Sequence, residues 1–188
     1  MIETIIEFIA WLWKCFYFGL PGGLANGAPV FCSKIKFLNY PVDFGKKWKG
    51  KPIFGKNKTF RGFFFGILTA IVIVYIQRFL YTNYSYFQNI AFLDYTQYNM
   101  PLFGFLIGFG VLFGDLVKSF IKRRLNIPPG KSWIPWDQLD ASFGVLVVLA
   151  PYYIPPWDFI VFILIAAPIF MISVNPFFYY VGLRKTKR

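Results

Sequence analysis

Apolar residues occur along this chain in long stretches, with polar residues gathered in the segments between them. Five stretches can be distinguished, at about 2–31, 62–80, 101–121, 136–153 and 159–180. The first contains Pro21-Gly22-Gly23, where we expect the helix to break before it resumes as a short piece. A helix needs about 20 apolar residues to cross a hydrocarbon core, so the pattern predicts five transmembrane helices.

The composition supports an integral membrane protein. Hydrophobic residues make up 57% of the chain and charged residues only 15%, whereas soluble domains carry about a quarter charged residues. Too few charges are present to cover a surface that faces water on all sides. We therefore predict an all-α, polytopic membrane protein whose single domain covers residues 1–188.

The basic residues predict how this bundle is oriented. Eighteen of the twenty Lys and Arg residues lie in or beside two loops, at about 33–60 and 122–136, and in the C-terminal tail. Segments rich in Lys and Arg stay in the cytoplasm. We therefore expect an N-terminus outside, a C-terminus inside and two basic cytoplasmic loops, which requires an odd number of spans.

The net charge of +12 has more than one interpretation. These lysines can set the topology and contact anionic lipid head groups. Nucleic acid is a poor candidate partner, because the basic loops lie between apolar segments and match no nucleic-acid-binding motif. A basic surface on the cytoplasmic side would also attract phosphorylated substrates. No histidine is present, which excludes histidine bases and histidine metal sites.

Asp115 is an acidic residue inside the third apolar segment. An ionisable residue at membrane depth is costly and is a functional candidate by default. Lys118, Ser119 and Lys122 share its helical face. The alternative is that Asp115 pairs with Lys118 or Ser119 and only holds helices together.

Two further acids, Asp137 and Asp140, begin the fourth segment and are three residues apart. One acid there could cap the helix, but a cap does not need two. Antiparallel packing of the third and fourth segments would bring Asp115 to the same depth. Three carboxylates beside many cations are typical of a site for Mg²⁺ and phosphates.

The segment 55–62, GKNKTFRG, leads into the second apolar stretch. Lys58 and Arg61, with the free N–H groups of a helix N-terminus, would form an anion-binding cradle. The spacing of a Walker loop is missing. The prolines at the two ends of 21–29, a segment that contains Asn26, predict irregular helix against a cavity, or a packing kink.

Two segments resemble the signature of the CTP-dependent phosphatidate cytidylyltransferases. These are GDLVKSFIKR at 114–123 and PWDQLD at 135–140. Lys118 stands where those enzymes have Glu, and Gln138 stands where they have Arg. Residues 20–29, 41–45 and 50–62 resemble the archaeal branch, the CDP-archaeol synthases, so that the similarity runs from about 20 to 145.

The resemblance implies a reaction between CTP and 2,3-bis-O-(geranylgeranyl)-sn-glycerol 1-phosphate in the cell membrane, with the active site on the cytoplasmic side. The products would be the CDP-activated lipid and pyrophosphate, and Mg²⁺ would be required. Expected metal ligands and catalytic residues are Asp115, Asp137 and Asp140, with Lys122 as a further catalytic residue. Expected phosphate ligands are Lys58, Arg61, Lys122 and Arg123, and candidates for the cytidine or its phosphates are Asn26, Asn57, Thr59 and Ser119.

Other functions remain compatible with the residues alone. A CDP-diacylglycerol synthase acting on phosphatidate would use the same chemistry, because both lipid tails are simply apolar. A non-catalytic protein that binds anionic lipids would need no converging acids. A transporter should show internal repeats, and the two halves of the chain are not similar. The oligomeric state is not predicted.

Overall fold

The computed structural model of the chain describes residues 2–129 and 131–180, and they form a mostly helical bundle. The predicted cytoplasmic tail at 181–188 lies outside the described residues. A single turn of 3-10 helix follows the first α-helix at Cys32–Lys34. The elements are α1 (Ile2–Phe31), β1 (Lys47–Trp48), β2 (Lys51–Pro52), α2 (Phe60–Asn83), α3 (Ser85–Asn89), α4 (Met100–Arg124), α5 (Trp136–Leu149) and α6 (Trp157–Tyr180).

Two of these helices, α2 and α4, are long and apolar enough to cross a membrane. Each begins one or two residues before the corresponding apolar segment of the sequence and ends three after it. In α6 the described apolar stretch is shorter, at Trp157–Ala166. The predicted all-helical class is therefore correct at the level of a mostly helical bundle.

The predicted break in the first helix is wrong, because α1 runs without interruption through residues 21–23. Pro21 lies inside the helix and is fully buried. Proline removes one helical hydrogen bond, but neighbouring helices in a bundle can compensate. Gly22 lies against α4, where an added Cβ would be 3.6 Å from Val111 and 3.7 Å from Ile107. Packing on α4 therefore keeps the helix continuous where the local sequence favours a break.

α4 occupies the centre of the bundle and packs against α1, α2 and α5. On the α2 side, a Cβ on Gly104 would come within 2.6 Å of the Ile71 backbone. On the α5 side, a Cβ on Gly110 would come within 2.8 Å of the Val145 backbone. The absent side chains let three helices approach closely, and this places Asp115 of α4 between α2 and α5.

The two ends of the bundle differ in chemistry. At the end near α3, aromatic rings pack around Phe18, whose ring lies 4.8 Å from Phe159 and 5.9 Å from Phe92. Trp11 donates a hydrogen bond of 2.5 Å to Asp158 and ties α1 to α6 at this end. The opposite end is polar and carries both basic loops.

Asp43 holds the first of these loops together. It is 6% exposed and accepts hydrogen bonds from the backbone N–H groups of Gly45, Phe54 and Gly55 at 2.9–3.0 Å. Burial raises the pKa of its carboxyl, but these three N–H groups outweigh burial and hold the pKa below its usual value. Among the acids at the polar end of the bundle, Asp43 is therefore the one that organises the loop leading to Thr59.

A clamp around Arg124 fixes the β1–β2 hairpin to the end of α4. The Arg124 guanidinium donates a 2.8 Å hydrogen bond to the Trp48 carbonyl and lies 5.3 Å from the Trp48 ring and 5.0 Å from the Phe120 ring. In return, Lys51 donates to the Arg124 carbonyl at 3.0 Å. The loop is thereby held over the polar end of the bundle.

Candidate functional site

A polar cleft of about 840 Å³ lies at this end, where α1 and α4 end and α2 and α5 begin. Its volume is within the range of about 300–1,000 Å³ that is usual for small-molecule sites. Six cationic side chains and three carboxylates line it, so positive charge is in excess. The polar lining consists of Asn26, Ser33, Asn39, Lys56, Asn57, Lys58, Thr59, Arg61, Asp115, Lys118, Lys122, Lys131, Ser132, Asp137, Gln138 and Asp140.

The three acids that were predicted to converge lie around a single ammonium group. The Nζ atom of Lys118 is 3.1 Å from Asp115, 3.5 Å from Asp137 and 2.6 Å from Asp140. Asp115 and Lys118 belong to α4, whereas Asp137 and Asp140 belong to the first two turns of α5. The arrangement therefore depends on the packing of α4 against α5.

Two further lysines complete this network. Lys58, from the loop before α2, forms an ion pair with Asp115. Lys122 donates to both oxygens of Asp137, at 2.9 and 3.1 Å, and to the Lys131 carbonyl at 2.5 Å. The side chains of Lys58, Lys118 and Lys122 have limited exposure. Water therefore screens their charges less than it would at a surface. Each acid of the cleft thus has at least one cationic partner.

The close approach of α4 and α5 explains why the acids meet. Gly114 lies directly against the backbone carbonyl of Asp140, where an added Cβ would clash. Asp137 does not cap α5, because the residue at the N-cap is Pro135 and no side-chain cap bond forms. Instead, Asp137 accepts a 2.5 Å hydrogen bond from the Trp133 backbone N–H and pairs with Lys122.

The chemistry of these donors suits a divalent cation. Within 2–129 and 131–180, no group of three or more acidic, histidine or cysteine residues is arranged tightly enough to share an ion. The three carboxylates supply the oxygen ligands that Mg²⁺ prefers, and the ammonium of Lys118 lies between them. The position favours positive charge and the residue types suit Mg²⁺, but as they lie around Lys118 these three acids do not form a shared metal site, so the Mg²⁺ site stays a prediction.

The start of α2 lines one side of the cleft, where an anion-binding cradle was predicted. Thr59 is the N-cap and accepts a 3.2 Å hydrogen bond from the Gly62 N–H. A helix N-terminus attracts anions through its free N–H groups and its dipole. Arg61 donates to the Ile35 carbonyl at 2.6 Å, while its Nε atom is buried and unpartnered among the described residues. Asn57 is exposed in the loop beside it.

Two of the predicted site residues lie next to the cleft instead of in it. Ser119 and Arg123 line an adjoining cavity of about 110 Å³, which shares Lys56, Asn57 and Lys58 with the cleft. Ser119 is 5% exposed. The two residues can therefore act on a ligand in the cleft only from this side cavity.

Sequence reasoning did not select several residues that line the cleft, among them Lys56, Lys118, Lys131 and Gln138. Lys118 was placed on the helical face of Asp115 and Lys122, but it was considered only as a partner of Asp115 and not as a site residue. Gln138 was not selected at all; it is 5% exposed and its Oε1 atom has no partner among the described residues. Its position between Asp137 and Asp140 is the only local signal.

Known proteins resemble this chain over most of its length. A family model described as "CarS-like: CDP-archaeol synthase" matches residues 5–187. The CDP-archaeol synthase of Pyrococcus horikoshii is 35% identical over 175 residues, which cover 93% of this chain and 95% of that protein. The CDP-archaeol synthase of Methanococcus maripaludis is 34% identical over 181 residues, which cover 96% of this chain and 98% of that protein.

A solved structure is also similar. It is described as an intramembrane enzyme for archaeal membrane lipids biosynthesis, and its sequence is 26% identical to this chain. The TM-score is 0.67, and the match covers 85% of this chain and 91% of that one. The similarity therefore extends from the sequence to the arrangement of the helices.

Proposed function

Because the chain belongs to the CDP-archaeol synthase family, we propose that its polar cleft is where a cytidylyl group passes from CTP to a lipid phosphate. The enzyme is a CTP-dependent cytidylyltransferase of archaeal phospholipid biosynthesis. Its acceptor is 2,3-bis-O-(geranylgeranyl)-sn-glycerol 1-phosphate, and its products are the CDP-activated lipid and pyrophosphate. The family does not favour a phosphatidate-specific enzyme, a lipid-binding scaffold or a transporter.

One observation carries the placement of the reaction. Six cations and three carboxylates line a single cleft at one end of a bundle of apolar helices. CTP brings a triphosphate and the lipid brings a phosphate monoester, so both substrates are anions. The excess of cations offsets this negative charge, and the bundle lets the lipid approach without leaving the bilayer.

The reaction itself needs little acid–base chemistry. An oxygen of the lipid phosphate attacks the α-phosphorus of CTP, the bond from that phosphorus to the oxygen bridging it to the β-phosphate breaks, and pyrophosphate leaves. A phosphate monoester loses its second proton near pH 6, so the nucleophile is already ionised at neutral pH. This agrees with a chain that has no histidine. Catalysis rests on positioning and on charge stabilisation.

The cations have separate places in this scheme. Lys58 and Arg61 bind phosphate oxygens together with the N–H groups at the start of α2. Lys122 binds phosphate from the α4 side, where it lines the cleft. Asn57, Thr59 and Asn26 lie where cytidine or its phosphates would contact them. Ser119 and Arg123 assist from the adjoining cavity.

Asp115, Asp137 and Asp140 would hold Mg²⁺, which when bound neutralises charge on the triphosphate. Lys118 now pairs with all three acids. If a metal cation bound the acids, the Lys118 ammonium would be available to bind phosphate oxygens. Lys118 thus joins the predicted phosphate ligands, although the sequence analysis did not include it among the site residues.

We further propose that the protein crosses the cell membrane five times, through α1, α2, α4, α5 and α6. The N-terminus would lie outside and the C-terminus inside. Both basic loops are at the cleft end of the bundle, whereas Asp94 and Asp158 are at the other end. Positively charged loops remain in the cytoplasm, so the cleft would open to cytoplasmic CTP.

Incubation of the purified protein with CTP labelled on the α-phosphate tests this function. In detergent micelles that contain Mg²⁺ and the geranylgeranyl glycerol phosphate, label should move to the lipid and pyrophosphate should be released in equal amount. Parallel reactions with phosphatidate and with water-soluble glycerol phosphate measure the lipid preference. Absence of labelled lipid from a folded, CTP-binding protein would contradict the proposal.

A further inference from the structure

An apolar groove of about 390 Å³ runs along the outer side of the bundle between α4 and α5. Its walls are Phe113, Val117 and Ile121 on α4 and Phe143 and Val147 on α5. We refer to it as the α4–α5 groove. Several of these walls are among the exposed large apolar side chains of the bundle.

Glycine residues make this surface concave. Gly114 of α4 and Gly144 of α5 form its floor, and a Cβ on Gly144 would lie 2.8 Å from the Gly114 Cα atom. The two backbones are therefore in direct contact, and no side chain rises from the floor. The larger side chains on each helix stand on either side of it, which leaves a channel instead of a filled interface.

The groove opens into the polar cleft at one end. Lys118 and Asp140 line both the groove and the cleft. The groove and the cleft therefore adjoin at these two side chains, so an anionic group that pairs with Lys118 lies beside the end of the groove.

The dimensions of the groove correspond to one lipid chain. Trp133 and Trp136 lie at its polar end, and tryptophan is enriched at the level of lipid head groups. From Trp136 to Val147 an α-helix rises about 16 Å. This is about half of the ~30 Å hydrocarbon core, which is the depth that a chain of one leaflet occupies.

We propose that the α4–α5 groove binds an isoprenoid chain of the lipid substrate while the lipid phosphate pairs with Lys118. This inference rests on the proposed cytidylyltransferase function and extends it to the site that holds the tail. The chain would enter sideways from the bilayer and would be guided along the glycine floor until the phosphate reaches the acids and cations of the cleft.

A second apolar cavity, of about 200 Å³, lies on the other side of α5 against α1 and α6. It meets the cleft at Asn26, Gln138 and Asp140, and no Lys or Arg lines it. A lipid phosphate at that opening would face the Asp140 carboxylate with no Lys or Arg in the lining of the cavity, whereas Lys118 lines the α4–α5 groove. The charges therefore favour the α4–α5 groove.

Substitution at the far end of the groove tests the assignment. Val147→Trp places a large ring where the end of a long chain would lie, and Val147 is 65% exposed, so the fold should tolerate it. Val161→Trp is the matched control, because Val161 is 52% exposed on α6 and lines neither cavity. The measured quantity is kcat/KM for the geranylgeranyl substrate divided by kcat/KM for a short-chain analogue.

We expect Val147→Trp to lower this ratio by about 10- to 100-fold, because a phosphate displaced by about 1 Å can lose about 100-fold in rate. KM for CTP should stay unchanged, and Val161→Trp should keep the wild-type ratio. An unchanged ratio in Val147→Trp would overturn the inference. A third variant, Ile163→Trp, narrows the cavity beside α6. A fall of the ratio in this variant alone would also overturn the inference. Loss of transfer to every lipid by the wild type would instead contradict the proposed function.

Photochemical labelling of the unmodified protein gives an independent test. A lipid phosphate with a diazirine near the end of one chain should label α4 and α5 within 113–121 and 143–147. Excess unlabelled lipid phosphate should suppress these adducts, whereas a neutral diether lipid should not. Competed adducts found on α1 and α6 in place of α4 and α5 would overturn the assignment.

Discussion

The Nζ atom of Lys118 lies 2.6 Å from a carboxylate oxygen of Asp140, and this ion pair joins α4 to α5 at the floor of the polar cleft. The same ammonium group is within 3.5 Å of Asp115 and Asp137. Together with Lys58 and Lys122, this ammonium group offsets the repulsion between the three acids. Any cation that takes over the three carboxylates must displace Lys118, which leads to the first prediction.

Lys118→Gln should make folding more dependent on Mg²⁺. Breaking a fully buried ion pair costs about 3–5 kcal/mol. Because these side chains retain some exposure, we expect the substitution to lower the free energy of unfolding by about 2 kcal/mol in the absence of metal. Mg²⁺ should then raise the melting temperature more than it does in the wild type, because ligands stabilise the state that binds them. The measurement is thermal unfolding against Mg²⁺ concentration, without CTP.

The control for this experiment is Lys122→Gln, which releases only Asp137. It should show a smaller gain from Mg²⁺ than Lys118→Gln. Equal responses to Mg²⁺ in the wild type and in Lys118→Gln would mean that the three acids do not share a metal ion.

Substitution of the acids should abolish turnover without unfolding the protein. Asp137→Asn and Asp140→Asn keep the side-chain size but remove a charge that Mg²⁺ requires, so transfer should fall at least about 100-fold. The same is expected of Asp115→Asn. Cytidylyl transfer is measured against Mg²⁺ concentration, with Asp94→Asn at the opposite end of the bundle as the control. Near wild-type rates in folded Asp137→Asn and Asp140→Asn would end the metal-site proposal.

Lys58→Ala and Arg61→Ala should weaken CTP binding while the remaining activity stays metal-dependent. A lost charge-assisted contact of about 1.5–3 kcal/mol corresponds to roughly a 10- to 150-fold loss of affinity. Isothermal titration with CTP measures this effect, with Lys49→Ala as the control because Lys49 is exposed and stacks on Trp48 outside the cleft. If Lys49→Ala weakens binding equally, the effect comes from overall charge and not from the start of α2.

The Asp43 loop should loosen in acid. The folded pKa of Asp43 lies below its usual value, so its stabilising contribution is complete above about pH 4, the usual Asp pKa, and is lost as the pH falls through the folded pKa. Hydrogen exchange of the N–H groups of Gly45, Phe54 and Gly55 measures the loop directly. In Asp43→Asn their protection should be lower at neutral pH and should not share this acid transition. Identical pH profiles in the two proteins would contradict the assignment.

The proposed topology predicts which positions a membrane-impermeant thiol reagent can reach in intact cells. In a background without Cys15 and Cys32, a cysteine at Asn89 should react from outside. A cysteine at Lys49 should react only after the cells are opened. External labelling at Lys49 would reverse the orientation of the bundle.

The apolar segments and the acids of the cleft could be predicted because both signals are local. The length of an apolar run indicates a helix whatever its neighbours are, and an acid such as Asp115 within such a run is conspicuous by itself. Thr59 before α2 is likewise a usual helix start. Asp137 looked like a cap for the same local reason, but the structure pairs it with Lys122 instead.

Other features depend on how the helices pack. Successive residues turn about 100° around a helix, so Ser119 and Arg123 rotate about 40° and 80° to one side of Asp115. Lys118 and Lys122 rotate about 60° and 20° to the other side. The spacing of these residues therefore places them all on one broad face of α4. Only the positions of α5 and the basic loop divide that face into a cleft and a side cavity.

The sequence by itself determined the segments that are apolar, the acids that lie within or beside them, and the excess of cations at one end. Tertiary structure decided that α1 continues through Pro21, because contact with α4 outweighs the local effect of proline. It also decided that Lys118 lies between three carboxylates, because the glycine contact between α4 and α5 brings Asp140 within reach. Contacts between residues far apart in the chain cannot be read from a local pattern, and they assemble this site.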